Sequence, residues 1–147
     1  MGIVAVSFFC EQQPVEKLFR KYAQMEKELA KYETENLKGA EIVFVAFGTT
    51  ARICREACEI LAAQGVKAGL IRPISLWPFP DKAFDEIDSS PTKAVISAEL
   101  SMGQMITDVK LALNGRLPVY LAHRTGGMVP TTPEVAARAK AVLEGLK

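Results

Sequence analysis

From Ile42 onward, short unbroken apolar runs alternate with longer stretches in which apolar positions recur every three or four residues. Ile42-Val43-Phe44-Val45-Ala46-Phe47 contains no polar residue, is rich in β-branched and aromatic side chains, and stops at Gly48. That is the pattern of a strand buried on both faces. Thr49 or Thr50 then offers a cap for a helix to about Gln64, which Gly65 ends. Residues 66–72 predict a second strand, and Pro73 and Pro78 exclude a helix from the loop that follows. A short helix over 81–87, a strand over 93–98, a helix over 103–114 and a strand over 119–122 complete the alternation. The last helix covers 133–146, with Thr132 as its cap and Pro133 at its first position.

Upstream the pattern differs. Val15, Leu18, Phe19, Tyr22, Met25 and Leu29 recur at helical spacing, which predicts a helix over 14–32 with Pro14 in its first turn. Residues 33–39 read as a polar linker ending in glycine. The opening Met-Gly-Ile-Val-Ala-Val-Ser-Phe-Phe-Cys is apolar but short, and reads as a strand or as an artefact of where the chain was cut. It has no basic region before it and ends at Glu11 and Gln12, unlike a signal peptide. No run approaches the roughly 20 apolar residues of a membrane span. The chain thus divides into an unassigned segment 1–13, a helix and linker over 14–38, and an α/β domain over 39–147.

Four strand–helix repeats imply parallel strands joined by helical crossovers. The expected fold is a three-layer α/β/α sandwich around a mostly parallel sheet of four to five strands. In such a sheet every strand-to-helix loop leaves from one edge, the edge where open α/β folds place ligands and interfaces.

Composition narrows the function. A chain of 147 residues fits one domain, and 49% hydrophobic with 24% charged residues is the balance of a globular protein. A net charge of +1 provides no electrostatic footprint for nucleic acid or an acidic membrane. Cys10, Cys54 and Cys58 are odd in number and fit no secreted disulfide framework, so a reducing, cytoplasmic setting is expected. Cys54 and Cys58 share a helix face, as a metal or redox pair would, but small core residues are the preferred reading.

The loops carry the remaining candidates. Gly48, Thr49, Thr50 and Arg52 open a helix that is either simply capped or able to hold an anion. Arg72-Pro73-Ile74-Ser75-Leu76-Trp77-Pro78-Phe79-Pro80 is stiffened by three prolines and presents Trp77 and Phe79. Trp77 either contacts a partner or folds back over its own sheet. Glu99 ends the third core strand without a second carboxylate or nucleophile, and a salt bridge to Arg72 or Arg124 is its expected role. Arg124, Thr125, Gly126 and Gly127 form a loop suited to a phosphate or a partner's carboxylate. His123 beside them lacks the orienting carboxylate of a triad. No catalytic, cofactor-binding or metal-binding set emerges.

Ala46-Phe47-Gly48-Thr49-Thr50-Ala51-Arg52, the run from Leu70 through Pro80, Glu99-Leu100-Ser101-Met102-Gly103-Gln104-Met105 and Arg124-Thr125-Gly126-Gly127-Met128-Val129-Pro130-Thr131 resemble, in this order, the alpha subunit of 2-oxoacid:ferredoxin oxidoreductases, in particular the 2-oxoglutarate and 2-oxoisovalerate members. The resemblance runs from about Pro14 to Lys147, with Ser101 standing where the family usually has Asn. It implies the last, transketolase C-terminal-like domain of the alpha chain, whose mixed sheet has five strands, one of them antiparallel. The four core strands read here leave that fifth strand either in the first ten residues or missing. The family's enzymes oxidatively decarboxylate a 2-oxoacid to an acyl-CoA and pass electrons to ferredoxin. Thiamine diphosphate and iron–sulfur clusters are implied for the complete complex, not for this chain. The implied partners are beta and gamma subunits, with ferredoxin reached indirectly, or further copies of the chain. The family's thiamine-facing N-terminal domain does not occur in these residues, so a structural and assembly role without turnover by this chain alone is expected. Competing readings are a stand-alone anion- or small-molecule-binding module, and a domain of another thiamine enzyme, which the Pro-rich run disfavours.

Overall fold

The structure, a computed structural model, describes the backbone of residues 3–146 and the side chains of residues 13–146. Its centre is β2 (Ile42–Ala46), in which all five residues are buried. Successive side chains of a strand point to opposite faces, so one apolar run feeds two cores. Ile42, Phe44 and Ala46 pack with α2 (Gly48–Ala63) and α4 (Thr132–Gly145) through Leu61, Ala139 and Leu143. Val43 and Val45 pack on the other face with a 3₁₀ helix (Asp81–Glu86) and α3 (Met105–Leu113) through Phe84, Val109 and Leu113. The three-layer architecture expected from the alternation is the one formed.

The remaining strands are β1 (Tyr32–Glu35), β3 (Ala68–Pro73), β4 (Ala94–Glu99) and β5 (Val119–His123), in the order β1-β3-β2-β4-β5. Phe44 stands opposite Leu70 on β3 and Ile96 on β4, both in parallel pairs. β4 and β5 are also parallel, and only β1 runs antiparallel, with Glu33 opposite Arg72.

β1 is the fifth strand, and it lies neither in the first ten residues nor outside the chain. It occupies the end of the expected helix and the start of the expected linker. As an edge strand it buries little, so its sequence, Tyr-Glu-Thr-Glu, lacks the apolar run of the others. Side chains hold it instead. Tyr32 and Thr34 donate from their hydroxyls to the Glu86 carboxylate at 2.8 and 2.9 Å. On the opposite side Glu33 pairs with Arg72 and Glu35 with Arg55.

The first helix, α1 (Ile3–Leu29), starts well before the expected boundary and contains Pro14 in its interior. The stretch read as a strand is therefore helical from Ile3, while Met1 and Gly2 lie outside the described residues. A short apolar run does not by itself distinguish the two states. With no strand beside it, a helix satisfies the backbone internally, and Pro14 removes one donor from that ladder. No helix of the described residues is long and apolar enough to cross a membrane.

Cap positions also shift. Thr131, not Thr132, caps α4, in a capping box where the Glu134 carboxylate accepts from the Thr131 N–H at 2.7 Å. At α2 the cap position is Phe47, and neither Thr49 nor Thr50 caps the helix. Thr50 is buried and turns its hydroxyl back to donate to the Phe47 carbonyl at 2.7 Å.

Truncating Phe44, which is fully buried between two strands and two helices, removes a large side chain from a site that collapses poorly. Phe44→Ala is expected to lower the unfolding free energy by roughly 3–5 kcal/mol, read from denaturant midpoints at unchanged slope.

Candidate functional site

The parallel direction of β2, β3, β4 and β5 brings four loops to one edge. The first turn, Phe47 to Thr50, holds Gly48 at φ +57°, a left-handed conformation that suits glycine. Arg52, one turn into α2, makes no hydrogen bond or ion pair among the described residues.

The second loop is held from below by Lys31. The Lys31 carbonyl accepts from the N–H groups of Ile74 and Ser75 at 2.9 and 3.2 Å, and its own N–H donates to the Ser75 hydroxyl at 2.9 Å. Ser75 also donates to the Pro78 carbonyl at 3.0 Å. This frame splits the two aromatics. Phe79 turns inward and stacks on Phe84 with centroids 5.9 Å apart. Trp77 turns outward, 64% exposed, and forms a T-shaped ring pair with Tyr22 from α1, centroids 5.6 Å apart. Trp77 does not fold back over the sheet.

The third loop corrects the expected role of Glu99. It forms no salt bridge to Arg72 or Arg124. Those guanidinium groups pair with Glu33 at 2.8 Å and Glu134 at 3.1 Å. Glu99 is instead buried at the end of β4 and gathers five donors. Ser97 and Ser101 donate hydroxyls at 2.8 Å each. The backbone N–H groups of Gln104, Met105 and Ile106 donate at 2.7, 3.0 and 2.8 Å. The carboxylate thereby caps the positive end of α3. Burial pushes its pKa up, but the bonds from Ser101, Ser97, Met105 and Ile106 outweigh that and hold it below 4.5. Nothing in the sequence marks backbone donors, which is why charge alone suggested an arginine partner. Ser101 was the available signal, since a hydroxyl two residues from a strand-end carboxylate can reach it.

In the fourth loop Gly126 and Gly127 both take left-handed φ, +73° and +75°, leaving Thr125 and the glycines exposed. Arg124 is drawn back onto Glu134. Beside it a cavity of about 360 Å³ lies between His123, Arg124, Pro130, Val135 and Arg138. Arg138, one of its lining residues, donates from Nε to the Leu121 carbonyl at 3.3 Å.

Residues not singled out in the sequence complete the edge. Phe47, Ile74, Leu76, Leu100, Met102, Met128 and Val129 are exposed, and each sits on one of these four loops beside Trp77. Their signal was present: large apolar side chains immediately after strand ends, among Gly, Pro and Ser. Of the candidate residues, Gly48, Thr49, Trp77 and Thr125 to Gly127 share this rim. Thr50, Phe79 and Glu99 lie beneath it, Arg72 belongs to the β1–β3 edge, and Arg124 is folded onto α4.

The two described cysteines do not form a reactive site. Cys54 and Cys58 lie on the buried face of α2. Burial pushes the Cys58 thiol up to about 12, with nearby Glu35 adding to the effect against Arg55, and burial pushes Cys54 up further. Protonated thiols are poor nucleophiles and poor metal ligands, so this pair does not fit an iron–sulfur cluster. No group of three or more His, Cys, Asp or Glu among the described residues is placed to hold a metal ion. Cys10 lies outside the described side chains.

Residues 40–135, from the start of the sheet to the first turn of α4, match the family described as pyruvate:ferredoxin oxidoreductase core domain II. The chain belongs to that family. The chain is similar to the ketoisovalerate oxidoreductase subunit VorB of Methanothermobacter marburgensis, with 41% identity over 110 residues. That similarity covers 75% of this chain but 31% of the relative, so the chain spans about a third of the protein it matches. The 2-oxoglutarate:ferredoxin oxidoreductase of Magnetococcus marinus has the same fold, with a TM-score of 0.72 at 24% identity over 93% of this chain and 23% of that one. A split-gene transketolase shares it too, with a TM-score of 0.65 at 23% identity over 78% of this chain and 41% of that one.

The hydrogen bonds that lower the Glu99 pKa are expected to make the fold acid-sensitive. The folded pKa of Glu99 lies below the unfolded value near 4.5, so its stabilising contribution is complete above that value and is lost as pH falls through the folded pKa. Glu99→Gln turns an acceptor into a donor against backbone N–H groups and is expected to destabilise at neutral pH by roughly 1–3 kcal/mol. The mutant's stability is expected to fall less steeply than the wild type's below pH 4.5. Equal acid slopes would show that Glu99 does not carry the effect. In a Cys10→Ser background, neither Cys54 nor Cys58 is expected to react with an aromatic disulfide reagent at mildly alkaline pH until denaturant unfolds the chain.

Proposed function

We propose that core domain II in this chain serves as the structural and assembly domain of an alpha-type subunit of a 2-oxoacid:ferredoxin oxidoreductase. The observation that carries this reading is the rim: four loops on one edge expose eight large apolar side chains, including Trp77 and Met102. An exposed patch of that kind, bordered by polar residues, marks a protein interface. Three of the charged groups nearby are committed within the fold, and Arg52 is the candidate cation without a partner among the described residues. Arg72 and Arg124 hold Glu33 and Glu134, and Glu99 has its oxygens filled by five donors. Among the described residues of the rim that leaves no acid–base pair for turnover, and the family match argues against a stand-alone anion-binding module.

In the proposed complex, other domains and subunits of beta and gamma type hold thiamine diphosphate and the iron–sulfur clusters. Electrons reach ferredoxin through them, and this chain performs no chemistry alone. Ketoisovalerate and 2-oxoglutarate, named in the similar proteins, are the proposed substrate class of the whole enzyme. The free Cys54 and Cys58 accord with the proposed reducing, cytoplasmic setting.

The chain is tested by co-expression with the remaining subunits and affinity capture. Trp77→Ala and Met102→Asp are each expected to weaken capture about 10-fold or more, as interface centres do, with the melting temperature nearly unchanged because both side chains are exposed. Capture unaffected by either variant overturns the reading. A sharp drop in melting temperature for Trp77→Ala with capture unchanged would make Trp77 a core residue instead.

A further inference from the structure

The cavity beside the fourth loop lies off the rim, between the open edge of β5 and α4. Its volume of about 360 Å³ is at the small end of the range that holds a low-molecular-weight ligand. Leu121, Ala122, Pro130 and Val135 supply an apolar part of the lining, and His123, Arg124, Glu134 and Arg138 a polar part. The donors of the polar part are unevenly spent. Arg124 gives its guanidinium to Glu134 at 3.1 Å and its N–H to the Glu99 carbonyl at 3.2 Å. Backbone groups alternate in direction along a strand, so an Arg124 N–H aimed toward β4 turns the His123 N–H the other way. That is the edge of β5 that no strand covers. Arg138 spends Nε on the Leu121 carbonyl at the same edge, and its terminal nitrogens make no hydrogen bond or ion pair among the described residues.

Glu134, the one carboxylate of the lining, is held by the Thr131 N–H, the Thr131 hydroxyl and Arg124. The cavity therefore keeps two kinds of open donor, an edge N–H and the outer half of a guanidinium, with an apolar floor beside them. Two guanidinium groups against one carboxylate leave the lining with a single positive charge. That balance fits a guest with one negative charge and a hydrocarbon body. A partner strand does not fit, because Arg138 already occupies the Leu121 carbonyl that such a strand needs. The start of α4 is not the source of attraction either, since the capping box of Thr131 and Glu134 closes it. We propose that this cavity binds a short aliphatic monocarboxylate. Its oxygens accept from Arg138 and from the His123 N–H, and its hydrocarbon lies against Pro130 and Val135. Charge-assisted bonds to the guanidinium anchor one end, and removal of the hydrocarbon from water favours the other. The site binds without reacting, and it does not rest on the assembly role proposed for the rim.

The full chain, labelled with nitrogen-15, is titrated with sodium butyrate at neutral pH and fixed ionic strength. The His123 amide resonance is expected to shift saturably, with a dissociation constant on the order of 1 mM, as suits so small a ligand. Butyramide, which lacks the charge, is expected to bind at least 10-fold more weakly. Acetate, which lacks most of the hydrocarbon, is expected to bind severalfold more weakly, and inorganic phosphate no better than acetate. Arg138→Gln is expected to weaken butyrate binding about 10-fold or more with the melting temperature nearly unchanged, because the side chain is exposed. Arg138→Lys, which keeps the charge, is expected to retain more of the binding than Arg138→Gln. Trp77→Ala on the rim is expected to leave butyrate binding intact whatever it does to subunit capture, so the two proposals fail separately. The absence of a saturable shift at His123, butyramide binding as tightly as butyrate, or unchanged binding by Arg138→Gln overturns the proposal. Phosphate binding more tightly than butyrate overturns the assignment to a carboxylate.

Discussion

Everything at the functional edge depends on the common direction of four strands. β2 cannot be reversed without turning its hydrogen-bond pattern against both β3 and β4. Its five buried residues feed both cores, so a slip of one residue would exchange the two faces. Once that direction is set, the ends of β2, β3, β4 and β5 deliver their loops to one side with no further instruction. A set of segments separated by tens of residues thereby becomes one surface.

The rim is apolar and the layer just beneath it is polar but closed. Glu99 ties β4 to α3, Ser75 and Lys31 tie the Pro-rich loop to the start of β1, and Thr131 with Glu134 fixes the entry of α4. Each tie satisfies backbone groups that a loop would otherwise leave to water. The exposed apolar side chains therefore stand on a rigid frame, which limits the ordering cost when they meet a partner. The polar groups of this edge serve the frame that carries the apolar rim.

How much of this was legible in the sequence depended on where the information resides. The core strands were readable because burial on both faces demands unbroken apolar runs, as in Ile42 to Ala46. β1 was not, because an edge strand held by Glu86, Arg72 and Arg55 needs only alternation between hydroxyls and carboxylates, and those partners lie 39 to 54 residues away or 20 for Arg55. The apolar opening was ambiguous in itself, since only the absence of a neighbouring strand decides between helix and strand. The exposure of Trp77 and of the glycine loop fits the Pro- and Gly-rich sequence around them. The inward turn of Phe79 was not legible, because it depends on Phe84 and on the Lys31 frame. The Glu99 misassignment has a similar origin: three of its five donors are backbone groups, which every residue but proline carries and no sequence pattern flags.

The two borders of the sheet are guarded by different means. β1 carries carboxylates at Glu33 and Glu35, each neutralised by an arginine from the body of the domain. At β5, Arg138 reaches over from α4 to the Leu121 carbonyl. An unguarded border is a template on which a foreign strand can add. Charges that must be stripped of their partners on one side, and a guanidinium lying against the backbone on the other, make such growth unfavourable. The sheet's two borders are thus closed to strand addition, while its loop edge keeps its apolar side chains exposed.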